Sequence, residues 1–151
     1  MASILRVFLH VWSILAQFIF GAVGTEFKDC GSSAAIISTF EVSGCPKGPC
    51  LFKRNTNVTL TVQLTPNDNI KSATTSIYGY IGSIKTPFIL NKDACVNSIK
   101  CPIEKGVITT FTDTIYVESA YPKLRLVADL EVKTDDGKLL ICTEFPAEIT
   151  D

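Results

Sequence analysis

The chain has 151 residues, a length typical of one domain, and a formal net charge of −1. Its basic residues form no run or cluster. This composition excludes the basic surfaces that bind nucleic acid or hold a protein on an anionic membrane. Nucleic acid is therefore not expected as a partner.

Residues 1–24 have the pattern of a secretory signal peptide. Arg6 is followed by the apolar stretch VFLHVWSILAQFIFGAVG, and Ala22 and Gly24 stand at the −3 and −1 positions of a cleavage site. A short membrane anchor is the alternative, but polar residues interrupt the stretch and no basic cluster follows it. We therefore predict a signal peptide at 1–24 and one mature, secreted domain at 25–151.

The mature domain lacks the residues that common catalytic sites require. The only histidine and the only tryptophan, His10 and Trp12, lie in the predicted signal peptide. Without histidine, serine–histidine, cysteine–histidine and histidine–metal sites are excluded. The acidic pair Asp135–Asp136 precedes a glycine, which is typical of a hairpin turn rather than of paired catalytic carboxylates. We expect no enzymatic activity, no metal and no cofactor.

All six cysteines fall in the mature domain, and in a secreted chain this indicates three disulfides. Six cysteines allow fifteen pairings, so the count alone does not give the connectivity. The spacing favours two local pairs and one long-range pair: Cys45 with Cys50, Cys95 with Cys101, and Cys30 with Cys142. The segment CPKGPC is then a structural crosslink, because it is neither a redox CxxC motif nor accompanied by zinc-binding histidines.

Alternation of apolar and polar residues predicts β-strands along most of the mature domain. In TNVTLTVQL the apolar residues face one side, and Asn57, which begins an N-glycosylation sequon, falls on the polar side. In VITTFTDTIYVES the alternation puts Phe111, Ile115 and Val117 opposite Tyr116. Five further segments have a clear or weaker strand pattern: AIISTFEV, TTSIYGYIGSI, TPFIL, KLRLVADLEV and LLICTEF.

The fold class follows from these segments. About seven short strands, separated by Pro, Gly and Asn, predict an all-β fold, an immunoglobulin-like sandwich of two sheets. No segment has the apolar stripe and caps of a helix. Asp136–Gly137 predicts the turn between the last two strands.

The motifs of the mature domain resemble those of one family. FKDCGS opens the domain, CPKGPC follows, and YP stands at 121–122; the other motifs are GYIGSIKTPF, ACVNSIKCPIEKG and LLICTEFPAEI. Their order and spacing resemble the Niemann–Pick type C2 proteins, within the ML lipid-recognition domains. The resemblance covers the whole mature chain and indicates an arthropod-type member.

The resemblance implies an immunoglobulin-like sandwich with a lipid cavity between its sheets and the three disulfides named above. It implies a non-enzymatic carrier that binds one small hydrophobic lipid, such as a fatty acid, a sterol or a semiochemical. It further implies a monomer in extracellular fluid or the lysosomal lumen, with a membrane receptor or transporter as a second partner. The alternative is an innate-immune module that presents microbial lipid to a receptor.

The pocket positions of the family fall on three residues of this sequence. The phenylalanine of the PF motif is Phe88, the apolar residue four before YP is Val117, and the tyrosine of YP is Tyr121. We add Tyr116 as a candidate for polar contacts at the pocket mouth. Asn55 stands where the family commonly has glycine, so it should adopt a left-handed backbone conformation.

Overall fold

A computed structural model describes residues 24–151, and the predicted signal peptide lies outside the described residues except for Gly24. The described chain folds into nine strands and one short helix. In chain order these are β1 (Lys28–Asp29), β2 (Ala35–Val42), β3 (Cys50–Lys53), β4 (Asn57–Pro66), β5 (Ala73–Ile81), β6 (Ile84–Asp93), α1 (Ala94–Asn97), β7 (Thr109–Tyr116), β8 (Arg125–Thr134) and β9 (Leu139–Thr150).

The strands form two facing sheets, so the predicted all-β sandwich is confirmed. The larger sheet has the order β1-β9-β8-β5-β6, with β3 also paired to β9. The smaller sheet has the order β2-β4-β7. Strands β6 and β7 each end one sheet, and an ion pair described below joins them across the sandwich.

All seven strand segments predicted from alternation are present, as β2 and as β4 to β9. The strands β1 and β3 were not predicted, because segments of two and four residues are too short to show alternation. Strand β3 also pairs in parallel with β9, with Cys50 opposite Ala147 and Phe52 opposite Ile149. A parallel partner so distant in sequence leaves no local pattern.

The helix α1 was also not predicted, because one turn carries no apolar stripe. Asp93 caps it by accepting a hydrogen bond from the amide of Cys95 at 2.9 Å. The adjoining loop closes with the Cys95–Cys101 disulfide. Within the described residues, no helix is long and apolar enough to cross a bilayer.

The inward residues of both sheets form one apolar core. Phe40 from the smaller sheet packs against Phe145 from the larger one, with ring centroids 5.1 Å apart. The alternating residues of β4 are all buried, as the sequence predicts: Val58, Leu60, Val62 and Leu64. This packing fixes the distance between the sheets on the β2 and β9 side of the sandwich.

Three disulfides link Cys30 to Cys142, Cys45 to Cys50, and Cys95 to Cys101. The first ties the chain near β1 to the last strand. The second closes the CPKGPC segment at the start of β3, where a Cβ on Gly48 would lie 3.0 Å from Cγ of Pro146. Glycine therefore allows this loop to lie directly against β9.

Two predicted backbone features are present. Asn55 has a φ of 62°, and its amide donates to the carbonyl of Val117 at 2.7 Å. Gly137 has a φ of 82° in the turn that joins β8 to β9. Both are conformations in which glycine or asparagine is favoured.

Candidate functional site

A cavity of about 40 Å³ lies between the two sheets, and its wall is almost entirely apolar. Strands β3, β5, β6, β8 and β9 line it from the larger sheet, while β7 and the loop after it line it from the smaller one. The lining residues are Phe52, Ile77, Tyr78, Phe88, Ile115, Val117, Tyr121, Leu126, Ala128 and Ile149. An enclosed apolar wall of this kind is typical of sites that bind hydrocarbon.

Two aromatic rings close the cavity toward solvent. Phe88 and Tyr121 are both half-buried, and their rings form an edge-to-face pair with centroids 5.1 Å apart. Burial, with a smaller contribution from the nearby charge of Glu118, raises the pKa of the Tyr121 phenol. The phenol therefore stays neutral at the cavity mouth and can donate as well as accept a hydrogen bond.

Gly79 sets the width of the cavity on the β5 side. A Cβ at this position would lie 2.6 Å from Cδ1 of Leu126 and 2.6 Å from Cε2 of Phe88, both of which line the cavity. A glycine inside a strand indicates that another group approaches the backbone closely at that point. The sequence alone does not identify that group. Here the missing side chain lets Phe88 lie over the strand.

The structure separates the four predicted ligand-binding residues into two groups. Phe88, Val117 and Tyr121 lie together on the cavity wall. Tyr116 does not: it is 47% exposed on the outer face of β7, and its hydroxyl donates to Oδ1 of Asn55 at 3.3 Å. Strand alternation explains this, because Val117 faces inward and its neighbour must face outward.

The sequon residue Asn57 is exposed at the start of β4, opposite Tyr116 in the neighbouring strand. Its side of the sheet is the outer one, since Val58 is buried. A glycan at Asn57 would therefore lie outside the sandwich and away from the cavity.

An ion pair joins the two sheets beside the cavity. Nζ of Lys92 on β6 lies 2.6 Å from Oδ1 of Asp113 on β7. Asp113 is 5% exposed and lies on the inward face of β7, one inward position beyond Ile115. The sequence analysis did not identify this pair, because nothing in the sequence shows that β6 and β7 become neighbouring sheet edges.

A second charged cluster lies on the outer face of the larger sheet. Nζ of Lys85 is 3.0 Å from Oδ2 of the buried Asp129, pairs also with Glu131, and lies 4.2 Å above the Tyr78 ring. Burial alone would lower the pKa of Lys85, but the hydrogen bonds to Glu131 and Asp129 outweigh it and raise that pKa. The pKa of Asp129 is raised because the carboxyl is buried.

Asp129 also lies beside the Cys30–Cys142 disulfide, with its Oδ1 3.8 Å from Sγ of Cys30. The three residues have the spacing of a metal-binding group. Disulfide sulfurs, however, are not the thiolates that metals bind, and the carboxylate is already paired with Lys85. The chemistry of this cluster fits a structural ion pair.

A larger groove, of about 510 Å³, lies on the surface beside Phe27 and Pro146. Four of its nine lining residues carry charged groups: Glu26, Lys28, Lys47 and Glu144. Because a lipid site needs an enclosed apolar wall, the smaller cavity between the sheets is the better candidate.

The family model of the ML domain matches residues 24–149. This chain belongs to the ML-domain family. Known ML-domain relatives cover most of its length. A fruit fly (Drosophila melanogaster) protein named NPC intracellular cholesterol transporter 2 homolog a is 36% identical over 138 residues, covering 89% of this chain and 93% of the relative.

Two further relatives come from a moth and a mouse. The ecdysteroid-regulated 16 kDa protein of Manduca sexta is 36% identical, and the match covers 82% of this chain and 87% of the moth protein. NPC intracellular cholesterol transporter 2 of Mus musculus is 31% identical, and the match covers 83% of this chain and 85% of the mouse protein. Among solved structures, a Niemann–Pick type C2 protein from the Japanese carpenter ant matches with a TM-score of 0.75 at 28% identity, over 83% of this chain and 99% of the ant chain. The ML-domain chain described here is thus a homologue of the Niemann–Pick type C2 proteins.

Proposed function

We propose that this ML-domain protein is a carrier that binds one small hydrophobic lipid between its sheets and releases it chemically unchanged. The apolar cavity behind the Phe88–Tyr121 ring pair is the observation that carries this proposal. The names of the relatives support it, since two of them are called cholesterol transporters. Fatty acids, sterols and semiochemicals are the ligand classes we consider.

The energetics suit a carrier. A hydrocarbon ligand that buries about 400 Å² of apolar surface gains roughly 10 kcal/mol. Association opposes this with a cost of about 4–15 kcal/mol. At the lowest cost the balance leaves about 6 kcal/mol, which corresponds to a dissociation constant of roughly 40 μM and allows a carrier to release its lipid.

The cavity must open before a lipid enters, because about 40 Å³ is far below the roughly 300–1,000 Å³ of ligand pockets. The mouth is the region best suited to move. Phe88 lies in β6, which is an edge strand of the larger sheet, and Tyr121 lies in the irregular loop after β7. An edge-to-face ring pair contributes only about 0.5–1.5 kcal/mol, so burial of a ligand readily offsets its loss.

The proposed location is extracellular fluid or the lysosomal lumen. The predicted signal peptide and the three disulfides support an oxidising, secretory route. The exposed position of Asn57 supports a glycan there. A monomer that meets a membrane receptor or transporter is the assembly that we propose.

The two predicted mouth tyrosines supply a matched pair of variants. With a fluorescent fatty acid and a fluorescent sterol as probes, we expect Tyr121→Ala to weaken binding of the preferred probe by about three- to tenfold, because the variant loses an aromatic contact. Tyr116→Ala should leave binding unchanged, because its ring is outside the cavity.

Displacement of one probe only, by its unlabelled parent lipid, assigns the ligand class. Binding of neither probe would contradict the carrier proposal and favour a packed sandwich. An equal effect of both tyrosine variants would contradict the assignment of the site. The recognition-module alternative predicts a stable complex with a receptor protein when lipid is bound.

A further inference from the structure

The outer face of the smaller sheet places the sequon residue Asn57 and the aromatic residue Tyr116 side by side. Asn57 begins β4 and Tyr116 ends β7, and the two residues are direct partners in the antiparallel register. Their neighbours Val58 and Val117 are buried, so the side chains of Asn57 and Tyr116 point outward. Both side chains are exposed to solvent.

The pair is of the type in which facing side chains lie closest together. The amide of Val117 donates to the carbonyl of Thr56 at 2.9 Å, which is a hydrogen bond of the neighbouring pair. Hydrogen-bonded and non-hydrogen-bonded pairs alternate along an antiparallel ladder, so Asn57 and Tyr116 form a non-hydrogen-bonded pair. The Cα atoms of such partners are about 4.5 Å apart. The Tyr116 ring is therefore within reach of a group attached to the amide nitrogen of Asn57.

A hydrogen bond holds the Tyr116 ring in place. Its hydroxyl donates to Oδ1 of Asn55 at 3.3 Å, and the amide of Asn55 donates to the carbonyl of Val117 at 2.7 Å. Asn55 thus connects the ring to the backbone at the end of β7. A ring that is ordered in advance loses little conformational freedom when a partner covers it.

The surface around this pair is polar and uncharged. The remaining outward residues of β4 and β7 are six threonines and one glutamine: Thr59, Thr61, Gln63, Thr65, Thr110, Thr112 and Thr114. Their hydroxyl and amide groups can both donate and accept hydrogen bonds. A sugar ring has hydroxyl groups at its edge and C–H groups on its face. An aromatic ring beside neutral hydroxyls matches this chemistry better than a charged or an apolar surface does.

The position of Tyr116 matters more than its exposure, because single exposed aromatic residues are common on protein surfaces. Asn57 begins the one N-x-S/T sequon of the chain. The strand register places the exposed ring directly beside that asparagine.

We propose that Tyr116 is the docking platform for the N-glycan of Asn57, with the C–H face of the first N-acetylglucosamine against the phenol ring. This proposal rests on the glycosylation of Asn57 proposed above and is independent of which lipid the cavity holds. The contact stabilises the fold, because the sugar covers the ring only when β4 and β7 are paired. It joins these strands at the end that carries the cavity residue Val117.

The test compares the mature protein with and without the first sugar. Protein secreted from eukaryotic cells treated with kifunensine carries high-mannose glycans, and endoglycosidase H trims each glycan to one N-acetylglucosamine. Asn57→Gln supplies the protein without sugar, and mass spectrometry verifies both states. We expect the one-sugar protein to melt about 2–5 °C higher than the sugar-free protein, which corresponds to the gain from one ring contact.

Three variants, each prepared with and without the sugar, locate the contact. Tyr116→Thr introduces the residue type of the neighbouring positions and should reduce the difference in melting temperature to near zero. Tyr116→Phe keeps the ring and should keep most of the difference. Tyr80→Thr removes a half-buried tyrosine from the outer face of the larger sheet and should keep the difference in full.

Nuclear magnetic resonance measures the contact in the folded protein and does not depend on secretion of Asn57→Gln. In the one-sugar protein, the ring current of Tyr116 should move the resonances of the sugar's C–H protons upfield. The same resonances should return to the positions of a solvent-exposed sugar in Tyr116→Thr.

An unmodified Asn57 in the secreted protein would overturn the proposal, and so would equal melting temperatures with and without the sugar. The same stabilisation in Tyr116→Thr, or sugar resonances that this variant leaves unchanged, would also overturn it. All of these outcomes leave the carrier function standing, because binding of the lipid probes tests that function separately.

Discussion

Replacing Gly79 with valine should lower the affinity for a lipid probe at least tenfold. The new side chain starts at a point 2.6 Å from Leu126 and 2.6 Å from Phe88, so its methyl groups must enter the space that these two side chains border. The cavity measures only about 40 Å³ and has no room for them. We expect a moderate loss of stability, about 1–3 kcal/mol, because the strand becomes overpacked.

A second substitution provides the control for Gly79→Val. Valine adds three carbons to glycine, and Leu126→Ala removes three from the neighbouring side chain. The double variant Gly79→Val/Leu126→Ala restores the packed volume and should recover most of the affinity. Probe titration of the three variants is the measurement. Unchanged affinity in Gly79→Val would show that ligand does not enter beside β5.

Removing the Cys30–Cys142 disulfide should destabilise the domain much more than removing Cys45–Cys50. The first bond joins residues 112 apart and the second joins residues 5 apart. The loop-entropy model gives about 4–5 kcal/mol for the long loop and about 2 kcal/mol for the short one. The physical reason is that the long crosslink excludes many more conformations of the unfolded chain.

Urea unfolding of the two double-alanine variants measures this difference. Each variant replaces one complete cystine, so neither leaves a free thiol. The Cys45→Ala/Cys50→Ala variant should keep its choice among lipid probes, because that crosslink is not part of the cavity wall. Equal losses of stability, or a changed ligand preference in the short-loop variant, would contradict this interpretation of CPKGPC.

The sequence predicts the strands well where one face is buried and the other is exposed. In β4 the alternation is regular, and each inward residue is at most 5% exposed. It fails for β3, whose parallel pairing with β9 is set by tertiary structure and by the adjoining disulfide. Short strands and distant partners leave no periodic signal.

The candidate site was predictable only in part. Phe88, Val117 and Tyr121 come from motifs, and the structure brings them together on the cavity wall. The alternation in β7 already placed Tyr116 on the opposite side from Val117, so this pattern was sufficient to exclude it from the wall. Other wall residues, such as Ala128, have the same pattern as core residues, because alternation cannot distinguish a cavity from solid packing.

The ion pair between Lys92 and Asp113 shows a different limit of sequence-based prediction. Asp113 occupies an inward position of β7 and Lys92 follows a bulge in β6, and neither feature has a meaning until the two sheets face each other. Charged residues at inward positions of a strand are a useful signal, since they require a partner or a ligand. In this chain the partner accounts for only one of the two carboxylate oxygens.

The central claim is that the cavity between the sheets holds one lipid, and native mass spectrometry tests it most directly. The mature protein would be secreted from eukaryotic cells, purified without detergent, and weighed in native and in denaturing solution. The proposal predicts one extra mass of a small lipid in the native spectrum, absent after denaturation and absent from Gly79→Val. A native mass equal to that of the chain and its glycan, even after incubation with fatty acids, fatty alcohols and sterols, would contradict it.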